Sequence, residues 1–258
     1  MINLDIDLPR GALLDGCVAD LMAVLSQSDG TWLHGDTASF ELDADGETLI
    51  GWGAMDGRNK AIPTTPNTGN GRRVLTSTGQ GLRCIPGEHC GFVLPQFTER
   101  TNTFTMAVLF HDVNQADPRT LLSLFNDDKK RGSKYLFLSD NGSTLVVKDT
   151  EEGLVLEVPK DPEPQGLRCL MVSVCEDRIA LRQGLGRIHE QTGLPLNMTG
   201  PASLFIGARS HRNGLLKTLG ASVIEDVLFW PGHSLLMPRS PQDETQMLAF
   251  ERYCLWRR

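Results

Sequence analysis

The feature that most restricts what this chain can fold into is a long succession of short strand-like runs with no helices between them. Runs rich in Val, Leu, Phe and Thr occur at 104–110, 120–125, 134–139, 144–148, 154–158, 167–175, 178–183, 203–206 and 221–229. Turn signals part them, among them Asp140-Asn141-Gly142, Glu152-Gly153, Cys175-Glu176-Asp177 and Arg212-Asn213-Gly214. Asn, Asp and Gly tolerate the backbone that tight turns need, whereas a parallel sheet would require crossover helices. The pattern therefore predicts an all-β sandwich of two antiparallel sheets.

Two segments depart from that texture. Between Pro9 and Ser28, Ala12, Leu13, Leu14, Cys17, Val18, Leu21, Met22 and Leu25 recur three or four apart, which predicts an amphipathic helix. Its apolar stripe must be buried against its own domain, a partner or a sister subunit. At the other end, Ser240-Pro241-Gln242-Asp243-Glu244 reads as a helix start, with Pro in the first position and acids in the first turn. The helical texture runs to Trp256. The expected division is a helical docking segment at 1–29 and a sandwich at 30–258.

Charge and cysteine usage narrow the partners. A net charge of -7 argues against nucleic acid and against an anionic membrane surface. No apolar stretch is long enough to insert in a bilayer. The first residues, Met1-Ile-Asn-Leu-Asp-Ile-Asp, carry acids where a secretory leader carries bases, so synthesis in the cytoplasm is expected. Six cysteines are too few for a disulfide scaffold of this length. Cys169 and Cys175 fall on one face of one strand, too far apart to bridge each other. Buried thiols are expected, with a Cys84–Cys90 bridge around a Pro-Gly loop left open.

The order of several phrases resembles the concanavalin A-like lectin/glucanase family of laminin-G-like jelly rolls. Trp32-Leu33-His34-Gly35-Asp36, a hairpin around 43–47, Trp52 and Asp56-Gly57-Arg58-Asn59 are similar to its opening. Leu204-Phe205-Ile206-Gly207 and Ile224-Glu225-Asp226-Val227 are similar to its later strands. The aromatic that usually precedes the central strand is absent, since Gly166-Leu167-Arg168 stands there. The resemblance spans roughly residues 30 to 258 and implies a concanavalin A-like jelly roll with a short helix at each end. It further implies tail or spike proteins of phages and gene-transfer-agent particles, which grip host polysaccharide.

Candidate chemistry is sparse. Glu41-Leu-Asp43-Ala-Asp45-Gly46-Glu47 offers oxygens at calcium-loop spacing, but its twelfth position is Trp52 rather than Glu. The same acids alternate like a glucanase carboxylate strand, but Asp45-Gly46 reads as a turn that would break it. His34, His89, His111, His189, His211 and His233 show no metal-ligand spacing, and no Gly-x-Ser-x-Gly elbow occurs. No catalytic residue, metal site or cofactor is therefore assigned, with calcium alone left open. A sugar needs aromatic faces and planar polar edges. Trp52 and Trp230 are expected in the core, and the ligand-binding candidates are the loop residues Asn67, Asn70, Arg72, Arg209, His211, Arg212 and Asn213. The expected function is a non-catalytic carbohydrate-binding module on a phage-like particle. It would be a homo-oligomer, joined to other particle proteins through its N-terminal segment. A purely structural spike, or less so a glycan hydrolase, is the alternative.

Overall fold

The computed structural model describes residues 16–67, 69–111, 118–128, 132–150, 155–162, 166–193, 195–196, 198, 200–211 and 219–257. It is an all-β sandwich of two antiparallel sheets with a short helix near the N-terminus and a helix at the C-terminus, as the strand pattern predicts. One sheet runs in the order β15 (Ile188–Thr192), β14 (Arg178–Gln183), β13 (Leu167–Cys175), β8 (Thr103–His111), β17 (Ser222–Pro231), β6 (Gln80–Cys84), β5 (Arg72–Leu75). Its eighth strand, β1 (Thr31–His34), pairs with the later part of β17. The other sheet runs β12 (Val155–Pro159), β11 (Thr144–Asp149), β10 (Gly132–Asp140), β9 (Arg119–Asp128), β16 (Ala202–Ile206), β7 (Phe92–Thr98), β4 (Lys60–Pro63), β3 (Leu49–Gly53), β2 (Phe40–Leu42).

The alternation of side chains assigns each strand two faces. On β8, Phe104, Met106, Val108 and Phe110 enter the core between the sheets, where they join Leu122 and Leu124 of β9 and Leu136 and Leu138 of β10. Ala107 and Leu109 of the same strand enter a second cluster on the opposite face. The middle of the eight-stranded sheet is thus buried on both sides. That explains why burial is continuous rather than alternating from Phe104 to Phe110 of β8 and along the whole of β17.

Two helices build that second cluster. α2 (Pro241–Arg257) starts with a capping box, as the sequence pattern expects. Ser240 Oγ accepts the Asp243 N–H at 3.2 Å, and Asp243 Oδ2 accepts the Ser240 N–H at 3.1 Å. Its Phe250, Tyr253 and Cys254 are buried against Trp32, Cys169, Leu228 and Trp230. Full burial of a residue such as Phe250 contributes about 2 kcal/mol. α1 (Cys17–Ser26) lies on α2 through Cys17, Leu21 and Leu25, with Arg252 Nη1 2.8 Å from Asp20 Oδ2. The stripe of the first helix therefore meets its own domain over this span, while the start of the expected helix lies outside the described residues. No described helix is long and apolar enough to cross a membrane.

Candidate functional site

Among the described residues both helices pack on the eight-stranded sheet, so the outer face of the nine-stranded sheet carries no helix. Its register lines up the outward side chains in rows. Val155, Lys148, Phe137, Ser123, Phe205, Val93 and Ile62 stand opposite one another across seven strands, from β12 to β4. Tyr135, Phe125 and Ser203 form a neighbouring row. Six interstrand steps of about 4.8 Å make the long row roughly 29 Å, and Ser123, Phe205 and Val93 in its middle are buried.

The segment after β16 crosses this face. Gly207, at φ +63°, turns the chain out of the strand, and a Cβ there would meet Cys84 Sγ at 3.0 Å. Arg209 then lies over Phe137, with Cζ 3.6 Å from the ring centroid. His211 meets Phe205 edge-on, with centroids 4.9 Å apart, and its Nδ1 accepts the Thr65 N–H at 3.2 Å. A cleft of about 350 Å³ is lined by Arg209, Phe137, Ser139, Asn141, Lys148 and Glu157, among others. A second, of about 420 Å³, is lined by His211, Phe205, Phe125, Asn126, Asp127 and Gln96, among others. Each has aromatics at its base and polar edges. Phe137 is buried beneath Arg209 and Phe205 beneath His211, so half-buried Phe125 is the aromatic within reach of a ligand. Burial lowers the basicity of Arg209, and its Nε is buried without a hydrogen-bond partner.

Of the residues expected at the ligand, Arg209 and His211 line these clefts. Asn67 is buried elsewhere, where Nδ2 donates to Gly91 O at 2.7 Å and Oδ1 accepts the Asn70 N–H at 3.0 Å. Asn70 Nδ2 donates to His89 O at 3.3 Å. Arg72, on β5, reaches Asp45 Oδ2 at 3.4 Å. Arg212 and Asn213 lie outside the described residues. Sequence reasoning missed Phe125, Phe137 and Phe205, the aromatics that line these clefts.

The acidic run 41–47 forms a turn. Asp45 accepts hydrogen bonds from the Glu47 and Thr48 N–H groups at 2.9 and 2.8 Å and from Thr48 Oγ1 at 2.5 Å. The Thr48 hydroxyl, then these backbone groups, hold its carboxyl down to about 2. Glu41 pairs with Lys60, and β2 ends at Leu42, so the four acids do not share one strand face. Among the described residues no three His, Cys, Asp or Glu side chains gather as a metal cage.

The densest group of ionisable side chains lies on the other sheet, under α2. Asp226 accepts from Trp32 Nε1 at 3.1 Å and Tyr253 OH at 2.8 Å, and His34 Nδ1 lies 2.5 Å from it. Glu225 meets His111 Nε2 at 2.6 Å, Thr76, Thr78 and Arg257. Burial pushes both carboxyls up, but His34, Arg257 and Trp32 on Asp226, and His111, Thr76, Arg257 and Thr78 on Glu225, hold both below their ordinary values. Neither carboxylate is exposed, so this cluster binds the helix to the sheet rather than a ligand.

No protein-family model matches the chain, and no curated protein matches it. Solved structures do. Trypanosoma rangeli sialidase in complex with 2,3-difluoro-KDN is similar over 87% of this chain and 33% of its own, at 14% identity and a TM-score of 0.56. An arabinofuranosidase complexed with arabinofuranosyl-alpha-1,2-xylobiose is similar over 90% of this chain and 65% of its own, at 9% identity and a TM-score of 0.54. This chain thus spans a third to two thirds of the length of these neighbours. At such identities the likeness is one of fold. It nevertheless corrects the expectation of a non-enzyme, because the neighbours that share the fold are glycosidases. The physical reason is that a sandwich can bring carboxylates together from different strands, which motif spacing along one strand does not register.

Proposed function

We propose that this chain is a glycan-recognition sandwich whose sugar occupies the paired clefts on the outer face of the nine-stranded sheet. The observation that carries this reading is the aromatic patch of Phe137 and Phe205 in one row and Phe125 in the next, crossed by Arg209 and His211. Preformed aromatic floors with polar edges bind at low ordering cost. The glycosidase neighbours support a carbohydrate as the ligand. Attachment of several copies to a particle through the N-terminal segment, the setting implied by the sequence resemblance, would convert a shallow site into avid binding to a cell-surface polysaccharide. The test is calorimetric titration against a polysaccharide panel, comparing Phe125→Ser in a cleft with Trp256→Ser on α2. Loss of binding in the first alone is expected, and equal effects would remove the clefts from consideration.

Glycan cleavage is the second reading, favoured by the same neighbours. Glu157 lines one cleft and Asp127 the other, so among the described residues these are the carboxylates available there. Shortening of a bound polysaccharide, lost in Glu157→Gln or Asp127→Asn, would establish it. Shortening retained in both variants would place the chemistry elsewhere.

A further inference from the structure

We propose that Cys169 and Cys254 are a redox pair. They close as a disulfide that fastens α2 to β13 when the chain folds with a small disulfide oxidant present, and they remain two thiols when it folds without one.

The two cysteines come from elements far apart in sequence. β13 turns Cys169 to the face that carries the helices, opposite Leu109 of β8, and α2 brings Cys254 into the same cluster beside Phe250 and Tyr253. The Cys254 thiol donates to Cys169 Sγ at 3.2 Å, the one thiol-to-thiol hydrogen bond among the described residues. A disulfide needs its sulfurs about 2.0 Å apart, so closing the bond takes a movement of roughly 1.2 Å.

Both cysteines are buried. Burial, then the Cys169 thiol beside it, hold the Cys254 thiol well above its ordinary value, which keeps back the thiolate that attacks a disulfide. The bond is therefore made while the chain folds, before α2 is fully seated, rather than in the finished protein. One thiolate attacks the small disulfide, expels half of it as a thiol and is left as a mixed disulfide. The second thiolate then attacks the protein sulfur and expels the other half. Two protein thiols and one small disulfide thus give one protein disulfide and two small thiols. Once α2 is seated, the same burial shields the bond from a reductant. The link closes residues 169–254 into one loop, and so long a loop restricts the unfolded chain far more than the folded one.

The experiment refolds the fully reduced, full-length chain from urea, once in a mixture of oxidised and reduced glutathione and once in reductant alone. The oxidised product should be lighter by about 2 Da. In urea it should show four reactive thiols, the six of the reduced chain less two. Proteolysis without reductant should yield a cross-linked peptide pair joining Cys169 to Cys254. The thermal midpoint should lie roughly 5 °C or more above that of the reduced chain. Cys84→Ser should keep the bond and the shift, and Cys254→Ser should lose both. The peptide mapping uses the chain as it stands, so it decides the matter even where a variant fails to fold. Any oxidised product in which Cys169 and Cys254 are not joined, whether it keeps six thiols, carries glutathione or links Cys84 to Cys90, would overturn the proposal. A bond between them that leaves the thermal midpoint unchanged would overturn it as well, because the helix would then not be fastened.

Discussion

Glu225 and Asp226 are consecutive in sequence, yet both side chains point to the same face of the eight-stranded sheet. The register of β17 against β8 shifts there: Ile224 pairs with Phe110 and Asp226 with Leu109, which leaves Glu225 as the extra residue of a bulge. A regular strand would send one of the two acids into the core. The bulge instead gives Arg257 two carboxylates at once.

Removing the cation from that arrangement should be costly. Arg257→Met leaves two buried carboxylates without their guanidinium, and a loss of about 3 kcal/mol is expected from breaking a buried pair on one side. Urea unfolding checks it. A midpoint unchanged from the native chain would mean that α2 is held by packing alone.

The same carboxyls set an acid limit. Both are held below their ordinary values, so they bind fewer protons folded than unfolded. Their contribution is present above the ordinary carboxylate range and is lost as the pH falls below it toward their lowered values. Stability should therefore drop as the pH is taken below about 4, and the drop should be shallower in Asp226→Asn. Urea midpoints between neutral pH and pH 3 decide it, and parallel profiles would contradict the assignment.

Gly35 admits no side chain. A Cβ there would lie 2.2 Å from Gln80 O and 2.6 Å from Glu225 O, both backbone atoms of flanking strands. Gly35→Ala should destabilise by about 2 kcal/mol as overpacking, read as a lowered thermal midpoint. Tolerance of alanine would show that β1 can shift away from β17.

All six cysteines are buried and free. Burial pushes Cys90 up to about 11 and holds Cys17 and Cys254 above the ordinary thiol value, against the thiolate that reagents attack. The native protein should therefore leave a disulfide reagent unconsumed until urea unfolds it, when six equivalents should react. Early reaction of one thiol would reveal local opening around it.

The sandwich was legible because its strands are bounded by turn residues and the C-terminal helix by its Ser240-Pro241 start. What escaped was set by neighbours in space. β15 reads as polar because it is a sheet edge with little burial. β7 carries Pro95, with Gln96 at φ +47°, which blurs the strand signal. Phe125, Phe137 and Phe205 sit in strands whose other face is leucine, so composition alone does not say which face is outside. Arg209 and His211 were visible as loop residues, but the aromatics beneath them were not. Asn67 has the same loop character, yet its side chain is spent on Gly91 and Asn70.

The two helices lie together on one side of the molecule, and the clefts open on the other. A tether fastened to the end of α2 would hold the protein by its back, with its cleft-bearing sheet turned outward. Copies fixed to a solid support in that way would all look in one direction, like tiles laid face up. The same molecule grafted through the loops beside Arg209 would be laid face down.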